Sequence, residues 1–124
     1  MILVDTSVWI DHLRAGDAEL AALLEQGAVL THPFVVGEIA CGTLAKRRAI
    51  LVLLQDLPMA AVAEADEVLG FIERHTLHGR GIGYVDVHLL ASAAMNSTKL
   101  WTRDKRLRVV AGDLRCTYQE TDLH

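Results

Sequence analysis

Met1-Ile2-Leu3-Val4-Asp5-Thr6-Ser7-Val8-Trp9 opens the chain, and its reading sets the architecture. Ile2, Leu3 and Val4 form an apolar run of strand length, as expected of a strand buried on both faces. Asp5, Thr6 and Ser7 follow at once. All three are helix-capping residue types, and a helix is expected from about Thr6 to Arg14. A buried strand running straight into a helix is the first half of a βα unit, and the rest of the chain repeats the alternation. Asp17 reads as the N-cap of a helix through Gln26, and 28–31 as a second strand. Pro33 suits the first turn of a helix that runs to Cys41 and is ended by Gly42. A very apolar helix over 46–57 stops at Pro58, a short strand is expected at 59–62, and another helix runs from Ala63 or Glu64 to Thr76. The loop 78–83 then leads into a helix over 84–96, a strand over 99–102, a helix over 104–111 and a last short strand at 116–118. Alternating strands and helices imply an α/β fold: one domain over residues 1–124, with a parallel sheet flanked by helices on both faces.

In such a sheet, ligands bind outside the carboxyl ends of the strands. Asp5 directly follows the first strand, and Asp104 follows the strand over 99–102. Glu38, in Val36-Gly37-Glu38-Ile39, and Asp86, in Gly83-Tyr84-Val85-Asp86, come from helices, Asp86 from the first turn of its own. Each acid has an ordinary role available. Asp5, Asp86 and Asp104 suit helix caps or first-turn positions, and Glu38 suits an exposed helix face. Capping does not explain Glu38, however, and Asp5-Thr6-Ser7 supplies more capping groups than one helix uses. Two like charges about 4 Å apart repel by ~4 kcal/mol at an effective dielectric of 20. Four converging carboxylates therefore call for a cation. A hard divalent ion held by oxygen ligands removes the repulsion, acidifies water and orients a phosphate. Thr6, Ser7 and Thr102 are placed to hydrogen-bond the acidic residues from behind.

Composition narrows the options. A chain of 124 residues, 52% of them hydrophobic, can bury one real core. The longest apolar run, Ala49 to Leu54, is too short to span a bilayer, and Met1 leads into a strand-like segment with no basic region of the signal type. A cytoplasmic protein with no membrane association is expected. Cys41 and Cys116 have no metal-ligand spacing and read as reduced thiols. The net charge of −4 argues against a generally basic nucleic-acid surface. Locally the balance reverses. Between Lys99 and Cys116, six basic residues face only Asp104 and Asp113, a local +4. Charge runs are usually solvated faces. Beside a metal site, Arg103, Lys105 and Arg106 become candidate phosphate contacts, as does Arg80 in the glycine-rich loop.

At these residues the chain resembles the PIN-domain ribonucleases, and within them the VapC-type toxins of prokaryotic toxin–antitoxin pairs. The matching pieces are Val4-Asp5-Thr6-Ser7-Val8-Trp9, Gly37-Glu38-Ile39, the run from Gly81 to Ala91, and the run from Leu100 to Leu107. They span nearly the whole chain, in order. The resemblance implies an endoribonuclease dependent on Mg²⁺ or Mn²⁺, and it maps the acidic quartet onto Asp5, Glu38, Asp86 and Asp104. It also implies an RNA substrate, a homodimer, and a VapB-like antitoxin that blocks the active site.

Other readings are weaker. A phosphorylatable receiver module wants paired acids after its first strand, where only Asp5 stands, and Asp56 ends a helical run rather than a strand. An aspartyl-phosphate hydrolase wants a second acid two residues on, where Ser7 stands. A non-catalytic RNA-binding domain fits neither the net charge nor the complete quartet. His75 and His78 lack further ligands for zinc. Asn96-Ser97-Thr98 matches a glycosylation sequon that a cytosolic chain does not use. Trp9 and Trp101 sit in apolar runs and are expected in the core. The apolar surplus around Val52 (Ile50, Leu51, Leu53 and Leu54) exceeds one amphipathic face. It points to a homodimer contact through the helix over 48–57 or its neighbour.

Overall fold

Three parallel strands organise the protein, which a computed structural model describes over residues 1–121. β1 (Ile2–Val4) lies between β2 (Val29–Leu30) and β3 (Lys99–Trp101). Ile2 pairs with Val29 on one side and Lys99 on the other, and Val4 pairs with Trp101. Successive strand residues point to opposite faces. Leu3 and Val4 are both fully buried, as are Leu100 and Trp101, so both faces of the sheet are covered. The expected parallel sheet with helices on both faces is what forms.

Seven helices complete the described residues: α1 (Thr6–Ala15), α2 (Ala18–Glu25), α3 (Pro33–Ala40), α4 (Arg47–Gln55), α5 (Ala65–His75), α6 (Tyr84–Met95) and α7 (Lys105–Asp113). Asp17 caps α2 as expected, its carboxylate accepting from the Leu20 N–H at 3.0 Å. Pro33 occupies the first turn of α3. α6 is the central helix. Its residues from Val87 through Ala93 are all buried, so it is covered all round rather than on one stripe, and only His88 and Ser92 among them are polar. Trp9 and Trp101 belong to the single contiguous core, as their apolar settings indicated.

Two expected strands are reduced. The segment at 59–62 forms a single bridge between Thr31 and Met59, and that at 116–118 a single bridge between Leu100 and Thr117. Each extends the sheet by one residue pair: Ala60 N–H donates to Thr31 O at 2.8 Å, and Tyr118 N–H to Leu100 O at 2.9 Å. Among the described residues, no helix is long and apolar enough to cross a membrane. Cys41 and Cys116 are both free thiols.

Candidate active site

Asp5 sits at the carboxyl end of the central strand, its N–H still bonded to Trp101 O at 2.9 Å. It occupies the N-cap position of α1 without capping it through its side chain. The carboxylate turns instead to two hydroxyls. Thr102 Oγ1 donates to Asp5 Oδ2 at 2.7 Å and Ser7 Oγ donates to the same oxygen at 2.9 Å. Asp5 is only 6% exposed. A buried carboxylate must be hydrogen-bonded or paired, and here the pairing comes from the start of α1 and from the residue after β3.

The other acids are each held by one oxygen. Asp104 Oδ1 accepts from the Leu107 N–H at 3.0 Å, and the Asp104 N–H donates to Thr102 Oγ1 at 3.1 Å. Thr102 therefore fixes Asp5 and Asp104 together. Asp86 Oδ2 accepts from the Gly83 N–H at 3.0 Å. Glu38, exposed on α3, accepts from Thr6 Oγ1 at 2.7 Å through Oε1. Burial pushes the Asp86 carboxyl above its ordinary range. The Gly83 bond opposes that shift, and the charges of Asp5 and Asp104 add to it. Asp5, Asp86 and Asp104 thus share one electrostatic site, and Glu38 joins it through Thr6, the residue next to Asp5.

One pattern runs through all four. Each carboxylate has one oxygen tied to the protein, while its second oxygen has no hydrogen-bond partner among the described residues. Each carboxylate is thus oriented by the protein, with one oxygen left to offer. Among the described residues, no three acidic, imidazole or thiol groups close into a finished metal cage. The donor set is nevertheless all hard oxygen, and the electrostatic strain on Asp86 is one that a divalent cation relieves. The residues present fit Mg²⁺ or Mn²⁺.

The basic residues separate into two kinds. Arg103, a candidate phosphate contact, has its guanidinium engaged within the protein. Its guanidinium reaches Asp11 at 2.8 Å, Asp17 at 2.6 Å and Glu120 at 2.8 Å, and it lies 5.4 Å from the Trp101 ring centre. Three carboxylates consume its charge, foremost Glu120, and hold it firmly protonated. Its backbone N–H donates to Ser7 Oγ at 3.0 Å, so Arg103 braces the hydroxyl that holds Asp5. Arg80 pairs with Asp113 at 2.8 Å on the surface. Lys105 and Arg106 are exposed in the first turn of α7, directly after Asp104, and form no salt bridge among the described residues. Asp11, Asp17 and Glu120 lie on three separate segments with no shared spacing, so nothing in the sequence singled them out as the cage around Arg103. Sequence reasoning also missed His32, which is fully buried and caps α3 by accepting the Phe34 N–H at Nδ1, 3.0 Å.

Comparison with known proteins places the chain in a family. The PIN domain matches residues 2–113. The chain is 48% identical to Ribonuclease VapC32 of Mycobacterium tuberculosis over 114 residues, 91% of this chain and 92% of the relative. The same values hold for the strains CDC 1551 / Oshkosh and ATCC 25618 / H37Rv. Among solved structures, FitAcB from Neisseria gonorrhoeae superposes with a TM-score of 0.62 at 23% identity, covering 90% of this chain and 94% of that one. FitAB bound to an IR36 DNA fragment gives 0.62 at 21% identity, covering 90% and 91%. At those identities the structural likeness speaks for the fold.

Proposed function

The chain belongs to the PIN-domain family, among its VapC-type ribonucleases, and from that premise we propose that it is a divalent-metal-dependent endoribonuclease acting as the toxin of a VapBC-type pair. The observation that carries this reading is the shared state of the quartet: four carboxylates, each with one oxygen anchored and one free. Asp5, Asp86 and Asp104 would hold Mg²⁺ or Mn²⁺, directly or through water, and Glu38 would hold a second ion or position the attacking water. When bound, the cation supplies Lewis-acid charge at the phosphate and lowers the pKa of water.

The chain's own residues do the positioning. Ser7 and Thr102 fix the Asp5 carboxylate, and the Gly83 N–H fixes that of Asp86. Thr6 turns Glu38 so that its second oxygen is available to orient a water or take its proton. Preorganised groups of this kind lower a barrier because they need not reorganise during the reaction. Lys105, Arg106 and, less freely, Arg80 would contact backbone phosphates of RNA. Hydrolysis would leave a 5′-phosphate and a 3′-hydroxyl. A VapB-like antitoxin would block the same cleft, the toxin would act as a homodimer, and both would work in the cytoplasm.

The test is cleavage of a mixed RNA pool. Asp5→Asn and Asp86→Asn should each abolish cleavage in Mg²⁺ or Mn²⁺, because an amide is a poor ligand for a hard cation. Excess EDTA should silence the unaltered protein. Cleavage that persists in EDTA would overturn the metal-dependent mechanism.

A further inference from the structure

We propose that Gly81 is a positioning residue for RNA binding: it provides the side-chain-free surface on which Arg106 is laid so that its guanidinium meets a backbone phosphate beside the acidic cleft. The inference rests on the ribonuclease reading above and adds to it a device. A Cβ placed on Gly81 would lie 2.7 Å from Arg106 Nη1, 2.8 Å from its Cδ and 3.2 Å from its Cζ. The Arg106 side chain therefore runs along the glycine backbone in space that any other residue would fill. Gly81 has φ +80°, a left-handed conformation that glycine adopts without penalty.

The position gives this contact its meaning. Gly81 stands two residues before Gly83, whose N–H holds Asp86. Arg106 stands two residues after Asp104. Their contact joins the two segments that carry Asp86 and Asp104. In a chain with 16 acidic residues and 12 Lys and Arg, Arg106 makes no salt bridge among the described residues, whereas Arg80 and Arg103 do. Arg106 lines a shallow surface depression with Arg80, Lys105 and Val109. A planar guanidinium is suited to bidentate phosphate contact, and packing it along the Gly81 backbone before binding reduces the entropy lost on binding.

The structure contains its own control. Gly79 also has a positive φ, +73°, but a Cβ there meets nothing within 4 Å. Gly79→Ala and Gly81→Ala thus carry the same kind of backbone strain, and only the second displaces Arg106. Both would be purified with Arg106→Ala, Arg106→Lys and the double variant Gly81→Ala/Arg106→Ala. Cleavage of a labelled single-stranded RNA of mixed sequence would be followed in Mg²⁺ or Mn²⁺ over a range of salt. Gly81→Ala and Arg106→Ala should each raise KM about tenfold, the worth of one charge-assisted contact, with kcat little changed. The slope of log(1/KM) against log salt should flatten by about 0.7, one phosphate contact to a single strand. The double variant should be no worse than Arg106→Ala, since both changes remove one interaction. Arg106→Lys should recover part of the loss, and Gly79→Ala should match the unaltered protein. Equal behaviour of Gly81→Ala and Gly79→Ala, or additive losses in the double variant, would overturn the inference. If Gly81→Ala does not fold, an unchanged KM in Arg106→Ala overturns it equally. An unaltered protein that cleaves no RNA with either metal would remove the ribonuclease reading and this inference with it, an outcome distinct from a cleaving protein in which Gly81 is indifferent.

Discussion

Asp86 is pulled two ways by its neighbours. Burial raises its carboxyl above the usual range, the Gly83 N–H works against that, and the charges of Asp5 and Asp104 add to it. An acid whose folded pKa lies above its unfolded value binds protons more readily when folded, so its ionisation costs stability that accrues as the pH rises past the unfolded pKa and is complete above the folded one. Asp86→Asn removes the charge and keeps an oxygen for the Gly83 N–H, so in chelator it should melt a few degrees higher than the unaltered protein. Adding Mg²⁺ should then stabilise the unaltered protein more than the variant. A ligand bound only by the native state adds RT ln(1 + [L]/Kd), about 2.7 kcal/mol at one hundred times Kd. Thermal melts with EDTA and with Mg²⁺ measure both effects. A variant that melts lower in EDTA would mean that Asp86 is needed as a structural cap and that repulsion is minor.

α3 illustrates what an element needs beyond its own residues. Pro33 and the apolar run after it mark the helix in the sequence, but its cap is His32, a residue type seldom used there. His32 accepts the Phe34 N–H at Nδ1, which leaves the proton on Nε2, and that atom has no partner. Burial, and secondarily the nearby His88, lowers the His32 pKa to about 4. The unfolded chain takes up that proton near pH 6.5. The neutral ring's contribution to stability is therefore complete above about pH 6.5 and is lost as the pH falls toward 4, on the order of 2–3 kcal/mol over the window. His32→Asn keeps a capping oxygen without a titrating ring. It should start less stable, since the ring's volume is lost. The difference from the unaltered protein should then shrink as the pH falls from 6.5 to 4, measured by urea unfolding. A constant difference would show that His32 titrates normally. Element by element, local patterns located most of the fold. α1, α2, α3 and α6 begin where capping residues and periodicity indicated. The two reduced strands failed the same reasoning because a short apolar run does not reveal whether a partner strand is long enough to pair with it; only Thr31 and Leu100 offer one. The site divides in the same way. Asp5, Asp86 and Asp104 stood out as candidates because each stands in a local motif at a strand or helix end, and Glu38 because capping does not explain it. Ser7 and Thr102 follow from adjacency to those motifs. The cage of Asp11, Asp17 and Glu120 around Arg103 was not legible, because it depends on three segments meeting, and a charge in a basic run looks free until its partners are seen.

At the scale of the whole molecule, the surface is uneven in apolar character. α4 fully buries only Leu54, while Val52 and Leu53 are 55% and 67% exposed. Beside them an apolar groove runs between α1, α2 and α4, lined by Trp9, Leu13, Leu24, Ile50, Leu53 and Leu57. A small domain rarely leaves such a face open to water, which supports the proposed homodimer and the use of α4 in it. Symmetry sharpens the test. In a two-fold contact the same patch lies on both subunits, so one substitution enters the interface twice. Leu54 is a poor probe, because a charge there would disrupt the core. Val52→Glu and Leu53→Glu change only the surface. The unaltered protein should scatter light at micromolar concentration as twice the 13.6 kDa chain mass, and Leu53→Glu should move it toward the monomer without lowering its melting temperature by more than a few degrees. A stable monomer from the start would count against the dimer. A dimer untouched by both substitutions would keep the association and move its interface to another exposed apolar site, of which Met59, Val62 and Leu69 are the next to test.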